Sequence, residues 1–403
     1  MPATQTKIVE SLNSITGPQH VRQHDDSITI TPANTQQVSE VLRYTHENNL
    51  TITPSGGGTK QSWGNPIRTQ IRLDLTRLNR VVEHPWQDLT CTVQSGCIWQ
   101  HLQQTLTKHG QFVALDPLWP ERATVGGILA ANDSGALRHR YGSLRDLVIG
   151  MTLVLADGTI ARSGGRVVKN VAGYDLCKLL TGSLGTLAVI TEATFRLHPL
   201  PQHPQSFTVS APKAAQLAPL MAGIRASHLL AQALQLRGDS NGFHLDIQLN
   251  AHPEAHQDDI LAQMTKSAGL LLEKAEERVW LARESHFADD NSFTIKATML
   301  PTDVASLSER VLALGGHCVA QSNGIMFASF PAPGHTTAYS ISSFREEVDK
   351  HKGSVVVLKY ALPSWSDLPP FGKSSNTFPL MQAVKHQFDP NHTLNPGHLL
   401  GGI

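Results

Sequence analysis

Glycine-rich segments that could cradle a phosphorylated ligand are the clearest chemical feature of this sequence. The first follows a short apolar stretch and offers consecutive backbone amides with no side chain in the way, which suits a diphosphate. A surface turn without a ligand is the alternative interpretation of this loop taken alone. No GxGxxG pattern opens a helix, and no GxxxxGK pattern is present, so nicotinamide-type and P-loop sites are not indicated. The loop comprises Pro54, Ser55, Gly56, Gly57, Gly58 and Thr59.

A second glycine pair leads into a basic cluster. Gly126 and Gly127 precede an apolar run, so a tight helix start packed on a strand is an alternative to ligand binding. The cations Arg138, His139 and Arg140 could stabilise an anionic group, or could form a solvated loop. The same segment also contains Thr124, Val125, Asn132, Gly135, Tyr141, Gly142 and Asp146.

The third segment joins scattered glycines to an apolar run that predicts a buried strand. Glycine lets the backbone pass close to a flat or phosphorylated group. Tyr174 and Asp175 also belong to this segment, and a structural role in fastening the loop is the alternative to a role at the ligand. The glycines are Gly164, Gly165, Gly173, Gly182 and Gly185, and Lys169 and Asn170 lie between them.

These three segments, in this order, resemble the FAD-binding domain of the vanillyl-alcohol oxidase and para-cresol methylhydroxylase (PCMH) superfamily. Within it the chain is most similar to the FAD-binding E subunits of bacterial glycolate oxidases. The resemblance is strongest over the first 200 residues, and it implies FAD as the cofactor. The implied cofactor contacts are residues 54–59, Thr124, Val125, Gly126, Gly127, Asn132, Gly135, Arg138, Tyr141, Gly142, Gly185, Thr186, Val189, Ile190 and Asn395.

The resemblance implies that the flavin is bound without a covalent bond. Relatives that attach FAD covalently carry a histidine where this loop has Gly58, which offers no nucleophile. His139 is the alternative attachment residue nearby, and a polar contact is the role expected for it.

Catalytic residues are harder to assign than cofactor contacts. Catalytic relatives usually read Gly-Ser-Glu-Gly-Thr in the third segment, whereas this chain has Leu184 at the glutamate position, as the E subunits do. The histidine-bearing stretch of catalytic relatives is also not found in the region between the FAD domain and the C-terminus. His244 and His317 are the nearest candidates for a base, and an exposed strand position is the alternative for His244.

The implied function is a subunit of a complex that oxidises glycolate, a small 2-hydroxyacid, to glyoxylate. The resemblance implies a sister FAD-containing D subunit and an iron-sulfur F subunit that passes electrons to membrane quinone. The alternatives are a free-standing D-lactate or other 2-hydroxyacid dehydrogenase, and a non-catalytic scaffold whose flavin does not turn over. No metal site and no catalytic residue are assigned.

Composition limits the partners of the 403-residue chain. Lys plus Arg and Asp plus Glu both number 33, so no net field draws it to nucleic acid. The four cysteines show no metal-binding spacing and are expected to be buried thiols in a reducing compartment. Without a signal peptide or a long apolar segment, we expect a cytoplasmic protein that reaches the inner membrane only through its complex.

The predicted architecture is α+β with three parts. A two-lobed PCMH-type FAD-binding domain is expected over residues 1–200, and an α+β cap over residues 206–375. The resemblance implies that the C-terminal tail, residues 376–403, packs back on the FAD domain near the flavin.

Local patterns predict several elements of these parts. Residues 34–48 have helical periodicity with a capping Asn34 or Thr35, and Asp157-Gly158 predicts a hairpin turn. In the cap, residues 211–236 are predicted as a helix because they are rich in Ala, Leu and Gln. Residues 243–249 alternate in polarity and are predicted as a strand.

Overall fold

The structure is a computed structural model that describes residues 2–24, 27–165, 174–331, 335–361, 368–374 and 376–403. The chain divides into two compact units. The first comprises Met1–Asp133, Ser143–Leu200 and Lys373–Ile403, and the second comprises Ser134–Gly142 and Pro201–Gly372. The predicted domain scheme differs at residues 134–142, which it assigned to the FAD domain.

The α-helices of the described chain are numbered in chain order. They are α1 Pro2–Thr16, α2 Thr35–Glu47, α3 Trp99–Thr107, α4 Val125–Ala131, α5 Arg138–Tyr141, α6 Leu144–Leu147, α7 Leu176–Leu180, α8 Ala214–Ala226, α9 Gln257–Ser267, α10 Ala282–Ser285, α11 Val304–Ala313, α12 His335–Lys350 and α13 Phe378–Phe388. Short 3₁₀ helices span Pro18–His20, Trp86–Asp88, Pro253–Ala255, Glu277–Leu281 and Leu400–Gly402.

The strands of the first unit are β1 Val21–His24, β2 Ser27–Ile30, β3 Ile52–Ser55, β4 Ile71–Asp74, β5 Val81–Glu83, β6 Thr90–Gln94, β7 Gln111–Phe112, β8 Val148–Val154, β9 Ile160–Gly164, β10 Val189–Arg196 and β11 His198–Pro199. Those of the second unit are β12 Pro204–Ala211, β13 Ala231–Asp239, β14 Gly242–Asn250, β15 Leu272–Lys274, β16 Ser292–Thr298, β17 His317–Gln321, β18 Ile325–Pro331 and β19 Ser354–Lys359.

The first sheet of the first unit delivers the glycine loop. Its strand order is β1-β2-β4-β3, with β3 parallel to β4, so the loop after β3 leaves from one edge of the sheet. Helix α2 packs Val38, Val41 and Leu42 into the same core. The Asn34 side chain accepts a hydrogen bond from the Gln37 amide and caps α2, as predicted.

The second sheet of the first unit is antiparallel, in the order β5-β6-β10-β8-β9. The predicted hairpin is confirmed: Val154 pairs with Ile160, and the Asp157 carboxylate accepts a hydrogen bond from the Thr159 amide. Strand β10 lies at the centre of this sheet and carries the apolar run that follows the third glycine segment.

The C-terminal residues belong to the first unit and extend its first sheet. Leu394 forms a parallel bridge with Ile52 at the start of β3. The Ile52 amide donates to the Thr393 carbonyl, and the Asn395 amide donates to the Ile52 carbonyl. This pairing holds the tail beside the strand that leads into the glycine loop.

The second unit is built on an antiparallel sheet whose described strands run in the order β15-β12-β14-β13-β17-β18-β16-β19. Helices α8, α11 and α12 pack on one face and bury a continuous apolar core. The opposite face carries polar groups: buried Asp246 accepts hydrogen bonds from Arg237, Gln235 and Thr208.

The predicted helix over residues 211–236 was wrong in its second half. Helix α8 ends at Ala226, and β13 begins at Ala231. Leu234 and Leu236 point to the apolar core, while Gln235 and Arg237 bind Asp246 on the other face. This period of two is a strand pattern that composition alone conceals. The strand predicted at residues 243–249 is confirmed as β14.

The described helices include none that is both long and apolar enough to cross a bilayer.

Candidate functional site

The first unit contains a cavity that brings the three glycine segments together. Its wall includes residues from the loop after β3, from α4, from the turn before β10 and from the C-terminal tail. The predicted residues that line it are Pro54, Ser55, Gly56, Gly57, Gly58, Thr59, Thr124, Gly126, Gly127, Gly185, Val189, Ile190 and Asn395. Further lining residues are Lys60, Gln61, Leu75, Ser95, Ala130, Ala131, Ser183, Leu184, Ala188 and His398.

Two glycines of the first loop are required by close packing against residues 122–124. A Cβ on Gly56 would lie 2.1 Å from Thr124 Oγ1, and a Cβ on Gly57 would lie 1.9 Å from the Arg122 carbonyl oxygen. Sequence reasoning assigned Gly57 a different role, namely keeping space for diphosphate oxygens. The structure shows that its hydrogen faces protein backbone, so the glycine lets the loop seat on its neighbour.

The amides of this loop are available to a ligand. Within the described part of the chain, the amides of Gly56, Gly57 and Gly58 donate to no backbone carbonyl. Gly58 has a φ of +71°, a conformation that glycine adopts without strain. Successive amides that converge without side chains form an anion-binding concavity.

Three buried polar atoms in residues of the cavity wall have no hydrogen-bond partner among the described residues. They are Ser95 Oγ, Thr124 Oγ1 and Asn395 Oδ1. A buried polar atom without a partner costs roughly 1–3 kcal/mol, so such atoms are normally satisfied by water or by a ligand. Their position around one cavity indicates a polar ligand that contacts several wall segments at once.

Asn395 reaches the wall because the tail is fixed on both sides. Its backbone has a φ of +42°, and its Nδ2 donates to the Leu184 carbonyl at 2.7 Å. Leu184 also has a left-handed backbone, with a φ of +51°. The tail and the turn before β10 therefore hold each other in place at the cavity.

A buried lysine, which sequence reasoning missed, joins the C-terminal tail to the turn before β10. Lys385 Nζ donates to Asp389 Oδ2 at 2.6 Å and to the carbonyls of Thr186 and Leu394 at 2.8 and 2.9 Å. Asp389 in turn accepts from the amides of Thr393 and Leu394. Burial lowers the pKa of Lys385, while the Asp389 carboxylate opposes that shift.

A second buried ion pair lies at the cavity itself. Lys60 Nζ is 3.2 Å from Asp133 Oδ2, and the two side chains are 5% and 0% exposed. Lys60 immediately follows the glycine loop, so the sequence does signal a cation beside the loop, but it gives no local signal for the pairing with Asp133.

Some predicted contacts support the wall instead of lining it. Val125 is buried in the core, and its amide donates to the Cys97 carbonyl. The Thr186 hydroxyl donates to the Ser183 carbonyl, and its own carbonyl accepts from Lys385. Asn132 ends α4 in a left-handed conformation, with a φ of +47°.

Four other predicted contacts, Gly135, Arg138, Tyr141 and Gly142, fall in the segment that belongs to the second unit. Within that unit the Tyr141 hydroxyl donates to Gln232 Oε1. Their contact with the cofactor stays a prediction. Lys169, Asn170 and Gly173 lie outside the described residues.

The histidine considered for covalent attachment, His139, also lies in the second unit. Its Nδ1 is 2.9 Å from Ser322 Oγ. Burial and the nearby charges of Arg225 and Arg140 lower its pKa to about 4. The side chain is therefore neutral near pH 7, which suits a polar contact.

The second unit has its own cavity of about 400 Å³ at one end of its sheet, lined by Arg237, Asp239, His286, Asp289, His317 and Ser329 among others. His286 is 4% exposed, and its Nδ1 lies 2.8 Å from Ser329 Oγ. Its Nε2 has no partner among the described residues. Burial, with a smaller effect of His317, lowers its pKa to about 4.

The other histidine candidates differ in their positions. His317 is exposed on the wall of this second cavity. His244 is partly buried on β14, where its Nδ1 lies 2.8 Å from Ser210 Oγ. No group of three or more metal-binding side chains occurs in the part of the chain that the structure describes.

Comparison with known proteins finds a cofactor-binding family over part of the first unit. Residues 27–164 match a family model described as FAD binding domain. The chain is 38% identical over 174 residues to glycolate oxidase subunit GlcD of Bacillus subtilis, which covers 43% of this chain and 37% of that protein. It is 39% identical over 180 residues to D-lactate dehydrogenase [cytochrome] 1 of Saccharomyces cerevisiae, covering 43% and 30%. The chain thus matches about a third of the length of these relatives.

Solved structures show the fold over nearly the whole chain. p-Cresol methylhydroxylase is similar with a TM-score of 0.77 at 14% identity, covering 99% of this chain and 97% of that one. An alkyldihydroxyacetonephosphate synthase is similar with a TM-score of 0.74 at 17% identity, covering 97% and 85%. The predicted α+β, PCMH-type fold is confirmed.

The cavity residues fit FAD. The free amides of the glycine loop suit the diphosphate, and the unpartnered Ser95, Thr124 and Asn395 atoms suit polar groups along an extended ligand. The apolar side chains of Ala130, Ala188 and Ile190 provide surface for a ring system. Residues 27–164 are therefore an FAD-binding domain, and FAD is the cofactor of this protein.

Proposed function

We propose that this chain is the FAD-bearing E subunit of a glycolate oxidase complex, which oxidises glycolate to glyoxylate. The observation that carries the proposal is a cavity fit for FAD on a domain 38% identical to a glycolate oxidase subunit. The D-lactate and D-2-hydroxyglutarate dehydrogenases among the relatives support the wider class of 2-hydroxyacid oxidation.

Bound FAD supplies a two-electron acceptor for this chemistry. The carbon that bears the substrate hydroxyl loses a hydride, the hydroxyl loses a proton to a base, and the product is a 2-oxoacid. The residues of this chain that act on the cofactor are the loop amides, which bind it, and Asn395, which orients it. The proposal assigns no base.

Electrons from the reduced cofactor are proposed to leave through partner subunits. The four cysteines of the chain are all buried, and none forms a disulfide. Burial raises the thiol pKa to about 12 in Cys91 and Cys318 and to about 11 in Cys97 and Cys177. No group of three or more cysteine, histidine or acidic side chains that could ligate a cluster occurs among the residues that the structure describes. We therefore propose a sister FAD-containing D subunit, an iron-sulfur F subunit, and indirect attachment to the inner membrane.

A free-standing D-lactate dehydrogenase is the second candidate. The 39% identity to a D-lactate dehydrogenase favours it. Leu184 argues against it, since the resemblance places a glutamate there in catalytic relatives. A scaffold that binds FAD without turnover is the third interpretation.

Anaerobic titration distinguishes these candidates. The chain purified alone is mixed with glycolate or with D-lactate, and the loss of oxidised-flavin absorbance is followed. The E-subunit proposal predicts reduction by glycolate when the D and F subunits are present. Full turnover with D-lactate by the isolated chain would favour the second candidate. If no substrate reduces the flavin of this chain, even in the assembled complex, the third interpretation, a non-catalytic scaffold, would be favoured.

A further inference from the structure

The Lys60–Asp133 pair is placed where its charge can act on bound flavin. Lys60 follows the glycine loop and is one of the cavity-lining residues. Asp133 is fully buried and follows the end of α4, whose residues Ala130 and Ala131 also line the cavity. Both partners of the pair thus stand at wall segments of the FAD site.

The geometry of the pair is fixed by several contacts. Lys60 Nζ donates to the Leu118 carbonyl at 3.3 Å and to Thr59 Oγ1 at 3.4 Å. It lies 5.2 Å from the ring centroid of Trp119 and 5.7 Å from that of Trp63. These contacts hold the ammonium group at one position, and the Lys60 side chain is only 5% exposed.

The carboxylate is equally constrained. Asp133 Oδ2, the atom that pairs with Lys60, also accepts a hydrogen bond from the Leu118 amide at 2.8 Å. Lys60 and Asp133 therefore place opposite charges side by side at a buried site. Substituting either partner removes one of these two charges and keeps the other.

Packing alone does not require this arrangement. Replacing a buried ion pair with apolar residues of similar volume is often neutral or stabilising, because two charges must be desolvated. An ion pair at the edge of a redox cofactor can act on it electrostatically, which an apolar pair cannot do. Flavin gains negative charge on reduction, so a positive charge beside it favours the reduced form and a negative charge opposes it.

We propose that Lys60 and Asp133 are a positioning pair that sets the reduction potential of the bound FAD. Asp133 balances most of the field of Lys60 and keeps the potential lower than an unpaired lysine would. The proposal rests on the FAD assignment and not on the identity of the substrate, so it stands or fails separately from glycolate oxidation.

The test is the midpoint potential of the flavin in four forms of the full chain: wild type, Asp133→Asn, Lys60→Met and the double variant. Each is equilibrated with a reference dye under anaerobic reduction, and FAD affinity is measured in parallel by fluorescence. Asp133→Asn leaves the cation unbalanced and raises the potential. Lys60→Met leaves the carboxylate unbalanced and lowers it. The double variant restores neutrality and returns close to wild type.

A charge-matched control separates this local effect from net charge. Glu347→Gln removes one negative charge from an exposed pair with Lys350 in the second unit, and it should leave the potential unchanged. Unchanged potentials in all variants, with only FAD affinity altered, would overturn the proposal. So would shifts of the same sign in the two single variants. Loss of FAD from every variant, including the neutral double variant, would assign the pair a purely structural role.

Discussion

The flavin cavity of the first unit and the cavity beside His286 in the second unit are built by opposite strategies. In the first unit, glycines at positions 56 and 57 let the loop pack closely against residues 122–124, and the wall offers amides and neutral polar atoms beside the buried Lys60. In the second unit, the wall is made of ionisable side chains, including Arg237, Asp239 and His286. Backbone amides cannot titrate, so the amides of the glycine loop keep their binding character across pH. The second cavity changes its charge with pH, which makes it the more sensitive of the two.

The largest expected effect tests the backbone strategy. Gly57→Val places a Cβ 1.9 Å from the Arg122 carbonyl oxygen, a backbone atom that cannot move without shifting its segment. We expect complete loss of FAD and a fall of about 3 kcal/mol in the free energy of unfolding. FAD content and denaturant unfolding measure the two effects.

Gly223→Ala is the matched control for this change. Its Cβ would meet only the flexible end of Met264, at 3.3 Å, within a helix of the second unit. The expected result is unchanged FAD content and unchanged or slightly higher stability. FAD retained by Gly57→Val would show that the loop is not seated as described.

The next effect concerns the buried lysine of the tail. Lys385→Met leaves Asp389 as an unpaired buried carboxylate, which costs about 3–5 kcal/mol of stability. FAD affinity should fall with it, because Thr186 and Leu394 lose the group that joins them. In thermal unfolding, Lys385→Met combined with Asp389→Asn should be less destabilised than Lys385→Met alone. Equal destabilisation would argue against the ion pair as the main contribution.

The buried His286 of the second cavity predicts that the stability of the folded chain depends on pH. The pKa of His286 is lowered from 6.5 to about 4 in the folded state. Between these values the unfolded chain binds more protons than the folded chain, so stability falls as pH falls from 6.5 to 4. The contribution of His286 is at most about 3 kcal/mol. Below pH 4 the loss is complete.

His286→Phe should reduce this dependence. Denaturant unfolding of the variant and the wild type at pH 7, 5.5 and 4.5 gives the two slopes. We expect a shallower slope for the variant, with FAD content unchanged at pH 7. A slope equal to that of wild type would show that His286 titrates normally in the folded state.

The smallest effect is expected from one side chain of the flavin cavity. Asn395→Gly keeps a backbone that tolerates the φ of +42° and removes the side chain that binds the Leu184 carbonyl. FAD affinity should fall about tenfold, because the variant lacks both the hydrogen bond of Asn395 Nδ2 to the Leu184 carbonyl and the polar contact of Asn395 Oδ1 with FAD. FAD affinity should fall further in Asn395→Ala, because alanine is strained at a φ of +42°. Fluorescence titration of the apoprotein measures both.

Sequence patterns predicted the first cavity better than the second because its determinants are local. A run such as Gly56-Gly57-Gly58 after an apolar strand needs no distant information. Lys60 and Asp133 were missed because their pairing depends on how two segments fold against each other. His286 was missed for the same reason: burial by β18, through Ser329, is not visible around residue 286.

Secondary structure was also predicted correctly where local residues determine it and wrongly where distant pairing does. The Asn34 cap and the Asp157-Gly158 hairpin are decided within a few residues, and both are present. Strand β13 was mistaken for helix because its Ala, Leu and Gln residues favour helix locally, while pairing with β14 and β17 decides the outcome. Tertiary pairing overrode propensity at that position.

The most direct test of the central claim is the flavin content of the purified chain. The first-unit cavity and the absence of a nucleophile at Gly58 predict a yellow protein with one FAD per chain. Acid or heat should release intact FAD into solution, and the apoprotein should rebind it. A colourless chain that FAD cannot reconstitute, or flavin that stays with the denatured polypeptide, would contradict this account.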